Sequence, residues 1–215
     1  MPAAVTGGQA LVGPGAAGVL RRAAIGFYGK IPARGDFVRA GLPRSFVEPW
    51  DEWLRGTLAQ SRAELGSEWL SAWLEAPVWR FALMPGSCGP DPVLGLWMPS
   101  VDRAGRYFPL TLAAVMPEAD PRRLIAEGGG FLAAAESAGR DALADDLHPE
   151  ALAARLLAAA SAPAADPGVD AQLDPPAGAL WWTEGAPRVV GGSFLSFGLP
   201  DAAKFAAMLD ARAGL

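Results

Sequence analysis

The sequence predicts an α/β domain: a mixed, partly antiparallel sheet flanked by helices. Three observations lead there. Apolar runs of strand length alternate with stretches whose apolar residues recur at helical spacing. The central strand-like runs follow one another across short turns, the mark of hairpins. The chain has 215 residues, 51% of them hydrophobic and 8 of them tryptophan, enough for the core of a single domain.

The elements follow in order. Residues 1–20 carry no charge, are interrupted by Gly and Pro, and lack a basic stretch ahead of their apolar part. They do not read as a secretory leader. We read 1–22 as a flexible lead-in to a single domain, 23–215. Residues 24–28 form a short strand that opens into a Gly-Lys-Ile-Pro turn. Ser45 with Glu48 resembles a capping box, and a helix starting near Glu48 puts Pro49 in its first turn, where no N–H is needed. Trp50, Trp53, Leu54, Thr57, Leu58 and Leu65 continue it at helical spacing, and Gly66 stops it. Ser67 caps a second short helix carrying Trp69, Leu70, Trp73 and Leu74, which Pro77 ends. Residues 78–84 and 93–98 read as strands around the Gly/Pro turn 85–92. Residues 107–116 add a third, so 93–116 is a hairpin, with Pro99 and Pro109 at positions that need no ladder hydrogen bond. Pro121 opens a helix to about Ala138, interrupted or weakened at 128–130, and Pro149 opens another to about Ala160. Residues 161–178 are a long Ala/Pro-rich loop. Residues 180–183 are strand-like, 189–190 and 194–197 add edge strands, and Asp201 caps a last helix with Phe205, Met208 and Leu209 inward.

The net charge of −5 argues against a general attraction to nucleic acid. The charge is uneven, however: residues 21–44 hold Arg21, Arg22, Lys30, Arg34, Arg39 and Arg44 against Asp36 alone. That segment is either an ordinary basic surface with an internal ion pair or a patch for an acidic partner. One cysteine, Cys88, excludes an internal disulfide and a Cys-based zinc site, and one histidine, His148, removes most triads. No run approaches the ~20 apolar residues needed to span a bilayer, so a soluble, cytoplasmic protein without membrane insertion is expected.

Gly29-Lys30 lacks the earlier glycine and following hydroxyl of a phosphate loop, since Ala24 and Ile31 stand there. No Gly-x-Ser-x-Gly elbow occurs. A Cys88–His148 pair is weaker than an inert thiol and an ordinary histidine. Trp50, Trp53, Trp69, Trp73 and Trp79 would suit a stacking platform, but at helical spacing beside leucines they fit a core better. Asp36 and Asp102 sit in two unusual loops, rich in Gly, Pro and opposite charges. Were those loops to meet, the two acids would share a site and one pKa would rise. Bracing by neighbouring bases, Lys30, Arg34 and Arg39 for Asp36, Arg103 and Arg106 for Asp102, explains the same residues without chemistry.

The two loops read GFYGKIPARGDF (26–37) and PSVDRAGRYFPLT (99–111). With LPRSFVEPWDEWL (42–54), PVWRFAL (77–83) and GLPDAAKFAAML (198–209), they resemble the type VI secretion-associated TagF family, also called ImpM-like. The likeness spans most of 23–210 and departs within neither loop motif. The resemblance implies three layers, a sheet between helices. It implies a cytoplasmic accessory protein that restrains type VI secretion after translation by binding the forkhead-associated (FHA) scaffold protein. It implies no cofactor and no enzymatic activity for the domain alone.

The expected role is therefore a regulatory interaction protein. Lys30, Arg34, Asp36, Asp102, Arg103 and Arg106 would hold the two loops as one surface and present charge at its rim. Two alternatives stay open: an enzyme using Asp36 and Asp102 as acid and base, with Lys30 or Arg106 stabilising an anion, and a structural part of the secretion apparatus. The sequence leaves the oligomeric state open.

Overall fold

Strands β1 (Ala24–Gly29), β2 (Val38–Ala40), β3 (Trp79–Leu83), β4 (Val93–Met98), β5 (Leu110–Val115), β6 (Ala179–Ala186) and β7 (Val189–Ser196) form one sheet in the order β2-β1-β5-β4-β3-β6-β7. The computed structural model describes residues 20–117, 119–144, 147–163, 165, 167–169 and 178–213. Residues 1–19 and most of 170–178 lie outside them, as does much of the loop expected over 161–178.

Among the described residues every strand pairing is antiparallel, which corrects the mixed sheet expected from the sequence. The helical connections explain it. They join β2 to β3 and β5 to β6, strands that are not neighbours, so no βαβ unit sets two parallel strands side by side. The expected hairpin is present as β4 and β5, paired from Val93↔Val115 to Met98↔Leu110. Its β5 also pairs with β1, Gly26 opposite Ala113, which brings the ends of the two motif loops to one side of the sheet.

Helices cover both faces, giving the three layers. Helices α1 (Arg44–Leu65), α2 (Trp69–Glu75) and α6 (Ala202–Leu209) lie on one, and α3 (Pro121–Glu127), α4 (Gly129–Ala144) and α5 (Pro149–Ala159) on the other. Strand alternation feeds both cores: Leu94, Leu96 and Met98 of β4 pack toward α4, while Val93 and Trp97 pack toward α1 and α6. All of β4 and β5 is buried.

Helix α1 starts at Arg44, not near Glu48, and Ser45 caps nothing. Burying Phe46 and Val47 extends the helix toward its N-terminus, leaving Pro49 inside it. Pro49 has no N–H for the Ser45 carbonyl. The 85–92 turn covers that point: Cys88 Sγ donates to Phe46 O at 3.7 Å, and a Cβ on Gly89 would lie 2.6 Å from Ser45 O. Gly66 ends α1 as expected, but a 3-10 turn, Gly66–Glu68, leads into α2 without a cap from Ser67. The 121–138 helix is two helices broken at Gly128. The two edge strands expected over 189–197 are one, β7. Asp201 caps α6 by accepting from Lys204 N at 2.8 Å, as expected. Leu20 is buried in the α4-side core, so the packed domain includes at least this residue of the expected 1–22 lead-in.

Trp50, Trp69, Trp73 and Trp79 are buried, and each indole N–H has an acceptor: Thr111 Oγ1, Ser61 Oγ, Ser100 O and Met208 O. The core reading of these four tryptophans holds, and they form no stacking platform for bases or sugars. Trp53, partly exposed, donates to Pro200 O at 2.7 Å.

Candidate partner-binding site

The two motif loops leave the sheet next to each other. The first departs from β1 at Gly29, whose φ of 141° only glycine adopts with ease, and a Cβ there would lie 2.0 Å from Pro109 O of the second. Lys30 then turns inward and is 5% exposed. Ile31 and Ala33 drop into the core and pin the turn.

Lys30 Nζ donates to Asp102 Oδ2 at 2.6 Å. Arg106 Nε donates to the same oxygen at 2.7 Å, while Asp102 Oδ1 accepts the backbone N–H groups of Ala104 and Arg106, both at 2.9 Å. Four donors saturate this buried carboxylate. Burial alone would raise its pKa. The Lys30 ammonium and the Arg106 backbone and guanidinium outweigh that and hold it well below the usual carboxylate range. Asp102 is therefore a fixed anion and not a proton donor near neutral pH.

Further bonds tie loop to loop. Ser100 Oγ donates to Lys30 O at 2.7 Å, and Arg103 N donates to Arg34 O at 3.0 Å. Arg103 Nη2 reaches Ala33 O at 3.4 Å, and Arg106 Nη2 donates to Gly35 O. The two loops thus pack side by side.

The six candidate residues fall into two groups. Lys30, Asp102 and Arg106 form the brace. Arg34, Asp36 and Arg103 lie at the surface. Asp36 is fully exposed and touches the brace through Arg106 Nη2 at 3.8 Å. It does not share a site with Asp102, because Arg106 stands between them. Arg34 Nη2 donates to His148 Nδ1 at 2.9 Å, which puts the imidazole proton on Nε2. Among the described residues, neither Arg34 nor Arg103 has a carboxylate partner. Both guanidiniums remain open to an acidic group from outside.

Residues of the same two loops and of α2 line a shallow apolar depression of about 130 Å³, formed by Pro32, Trp73, Leu74, Pro99, Val101 and Tyr107 among others. Neither Asp36 nor Asp102 lines it. Leu74 is 64% exposed at its rim. The face therefore offers an apolar dip and cations on the same two loops, and it has no paired acid and base. Cys88 and His148 have separate partners, Phe46 O and Arg34. Burial pushes the Cys88 thiol up to about 12.

Phe37 belongs to the same face, although no charge pattern in the sequence singles it out. It stays 40% exposed, stacks on Tyr28 with centroids 5.6 Å apart, and meets Phe108 edge-on at 4.8 Å. Lys30 Nζ and the Arg55 guanidinium approach its ring at 5.1 and 5.4 Å. An apolar residue directly after the Gly35-Asp36 turn was the available signal. A second ionic cluster has no such signal: buried Asp210 accepts from Arg188 Nη1 and Arg212 Nη2, both at 2.8 Å.

A family model described as the TagF N-terminal domain, type VI secretion system-associated, matches residues 26–159, which contain both loops. The chain belongs to this TagF family. A solved structure agrees. The chain is 37% identical to PA0076 from Pseudomonas aeruginosa PAO1, known from a crystal structure at 2.05 Å resolution, with a TM-score of 0.76 over 89% of this chain and 96% of that one. Among curated proteins none matches. Type VI secretion is thus the system with which this TagF-family chain is associated. Among the described residues, no helix is long and apolar enough to cross a membrane.

Proposed function

We propose that this TagF-family protein restrains type VI secretion after translation, in the cytoplasm, by binding the system's FHA-domain scaffold through the face formed by the two motif loops. One observation carries the reading. The Lys30–Asp102–Arg106 brace fixes two distant loops as one rigid surface and leaves Arg34, Arg103, Phe37 and Leu74 facing outward. A preorganised face loses little conformational entropy on binding. Guanidiniums that lack a carboxylate partner among the described residues, near an apolar dip, suit a partner surface that carries carboxylates around an apolar side chain. Regulation then follows from mass action: scaffold held by this protein is withdrawn from assembly in proportion to concentration over dissociation constant.

A binding role is supported over acid–base chemistry by the state of the two acids. Asp102 is saturated with donors and held ionised, and Asp36 stands in open solvent. The experiment is a titration of purified protein against the FHA-domain protein of its own secretion locus. Micromolar or tighter binding by the wild type, weakened by Arg103→Glu, supports the proposal. No binding by a folded wild type overturns it.

A further inference from the structure

Among the described residues the sheet ends on β2 and β7, each paired on one side alone, and the two edges are built differently. β2 is three residues long and carries Arg39, both of which discourage another chain from pairing there. β7 is eight residues long and, among the described residues, pairs with β6 alone. Residues 189–197 read Val-Val-Gly-Gly-Ser-Phe-Leu-Ser-Phe, with neither charge nor proline. Val190 is 87% exposed, Leu195 44% and Phe197 88%. Among the described residues, none of the usual devices protects this edge.

An open ladder of backbone N–H and C=O groups accepts an extended strand. The sequence of β7 indicates which one. Antiparallel pairing of a strand with its own copy sets residues of like side-chain direction opposite each other, so the two-fold axis falls on a residue. With the axis on Ser193, Phe194 lies opposite Gly192 of the second copy and Leu195 opposite its Gly191, each contact occurring twice. Large side chains then cover glycine, which has none to clash, and no like charges meet. Moving the axis to Gly192 sets glycine against glycine, and moving it to Phe194 sets the ring against itself. Phe194 is already anchored for this by Trp79, edge-on at 5.6 Å, and by Lys204 Nζ, 4.1 Å from its centroid.

We propose that β7 is a self-association edge, through which two copies of this chain join antiparallel about a two-fold axis at Ser193 into one continuous sheet. The site lies outside residues 26–159 and apart from the motif loops, so it stands independently of the function proposed above.

Light scattering on the full chain tests it. The wild type is expected at twice 22.3 kDa. Ser193 is exposed, so Ser193→Lys and Ser193→Glu should keep the wild-type melt while each sets like charges face to face on the axis and runs as a monomer. Mixed in equal amounts, the two variants should return to the dimer mass, because lysine then faces glutamate. Ser193→Cys should form an intermolecular disulfide under mild oxidation, whereas the buried Cys88 of the wild type does not. A wild type that is monomeric from micromolar to submillimolar concentration overturns the proposal. So does a dimer that survives Ser193→Lys, or charge variants that stay apart when mixed. Protection of β7 amides from exchange only when another protein is added would assign the edge to that protein instead of a second copy.

Discussion

Lys30 and Asp102 stand 72 positions apart in the chain, and their side chains meet at 2.6 Å with almost no exposure to solvent. The pair bridges the loop after β1 and the loop before β5. Two desolvated charges that satisfy each other cost little together and a great deal apart. The contact therefore acts as a latch: neither loop can leave without exposing the other's charge.

Asp102→Ala should destabilise the fold by about 3–5 kcal/mol, because it leaves the Lys30 ammonium buried without its anion and frees two backbone N–H groups. Replacing both partners, Lys30→Met with Asp102→Leu, should recover a large part of that loss. Urea denaturation of the three proteins checks it. A single variant that melts like the wild type would show that the latch bears no load.

Asp102 and Asp210 both have folded-state pKa values below those of an unfolded carboxylate, about 3.9. For Asp102, burial raises the pKa but is outweighed by Lys30 and Arg106. For Asp210, the Arg212 hydrogen bond is the largest influence, opposed by burial and reinforced by Arg188. A depressed pKa gives stability that is complete above the unfolded value and lost as the pH falls through the folded one. The stability gap between wild type and Asp102→Asn should hold steady from neutrality to about pH 5 and narrow below about pH 4. Acid titration of both melts measures it, and a gap unchanged at about pH 2 would contradict the assigned shift.

Much of this was legible in the sequence where a local rule decides the outcome. The turn at Asp102–Arg106 sets the β4–β5 hairpin, and Asp201 caps α6. The grammar of the two loops points to bracing by neighbouring bases but assigns Lys30 to Asp36, whereas Lys30 bonds Asp102 and, among the described residues, Asp36 meets only Arg106. Tertiary demands hid the rest. Ser45 and Glu48 have capping-box spacing, yet burial of Phe46 and Val47 extends α1 past them. Strand direction was illegible because a helical connection fits either sense until the positions of β3 and β6 in the sheet are known. Asp36 and Asp102 look alike in sequence, and only the position of Arg106 between them makes one a brace and the other a surface charge. Asp210 and Arg188 come together only through α6 and the β6–β7 turn, so no short motif announces them.

Arg103 and Arg106 share a loop but should respond differently. Arg103 is exposed, and its side chain bonds to one carbonyl, so Arg103→Glu should stay within about 0.5 kcal/mol of wild-type stability. If the loop face binds an acidic partner, the same change should weaken binding about tenfold or more, with the weakening reduced at high salt. Arg106→Ala removes bonds to both Asp102 and Gly35 and should lower the melt as well as the affinity. Calorimetry and thermal denaturation separate the two. An Arg103→Glu protein that binds as well as the wild type would remove this face from the interaction.

Gly29 and Gly105 both have positive φ, 141° and 79°, but their surroundings differ. A Cβ on Gly105 meets nothing within 4 Å, so Gly105→Ala should cost only the left-handed backbone penalty, about 1–2 kcal/mol. A Cβ on Gly29 would lie 2.0 Å from Pro109 O, so the two loops must separate to admit it. Gly29→Ala should cost at least ~3 kcal/mol and loosen the latch. Equal losses in the two variants would mean that the contact between the loops is not tight.

Trp50 and Trp97 are both fully buried, and they differ in one hydrogen bond. Trp50 Nε1 donates to the buried Thr111 Oγ1 at 2.9 Å, whereas among the described residues Trp97 Nε1 has no acceptor. Trp→Phe removes similar ring volume at each site, so the cavity cost is shared. At position 50 the change also strands the Thr111 hydroxyl, adding about 1–3 kcal/mol. At position 97 it removes a donor that is already unsatisfied, which offsets part of the lost packing. Trp97→Phe, stacked on Phe205 with centroids 5.6 Å apart, should therefore be the milder change by about 2 kcal/mol or more. Denaturation midpoints decide it: the same loss at both positions would mean that Trp97 finds a partner, such as bound water, in solution.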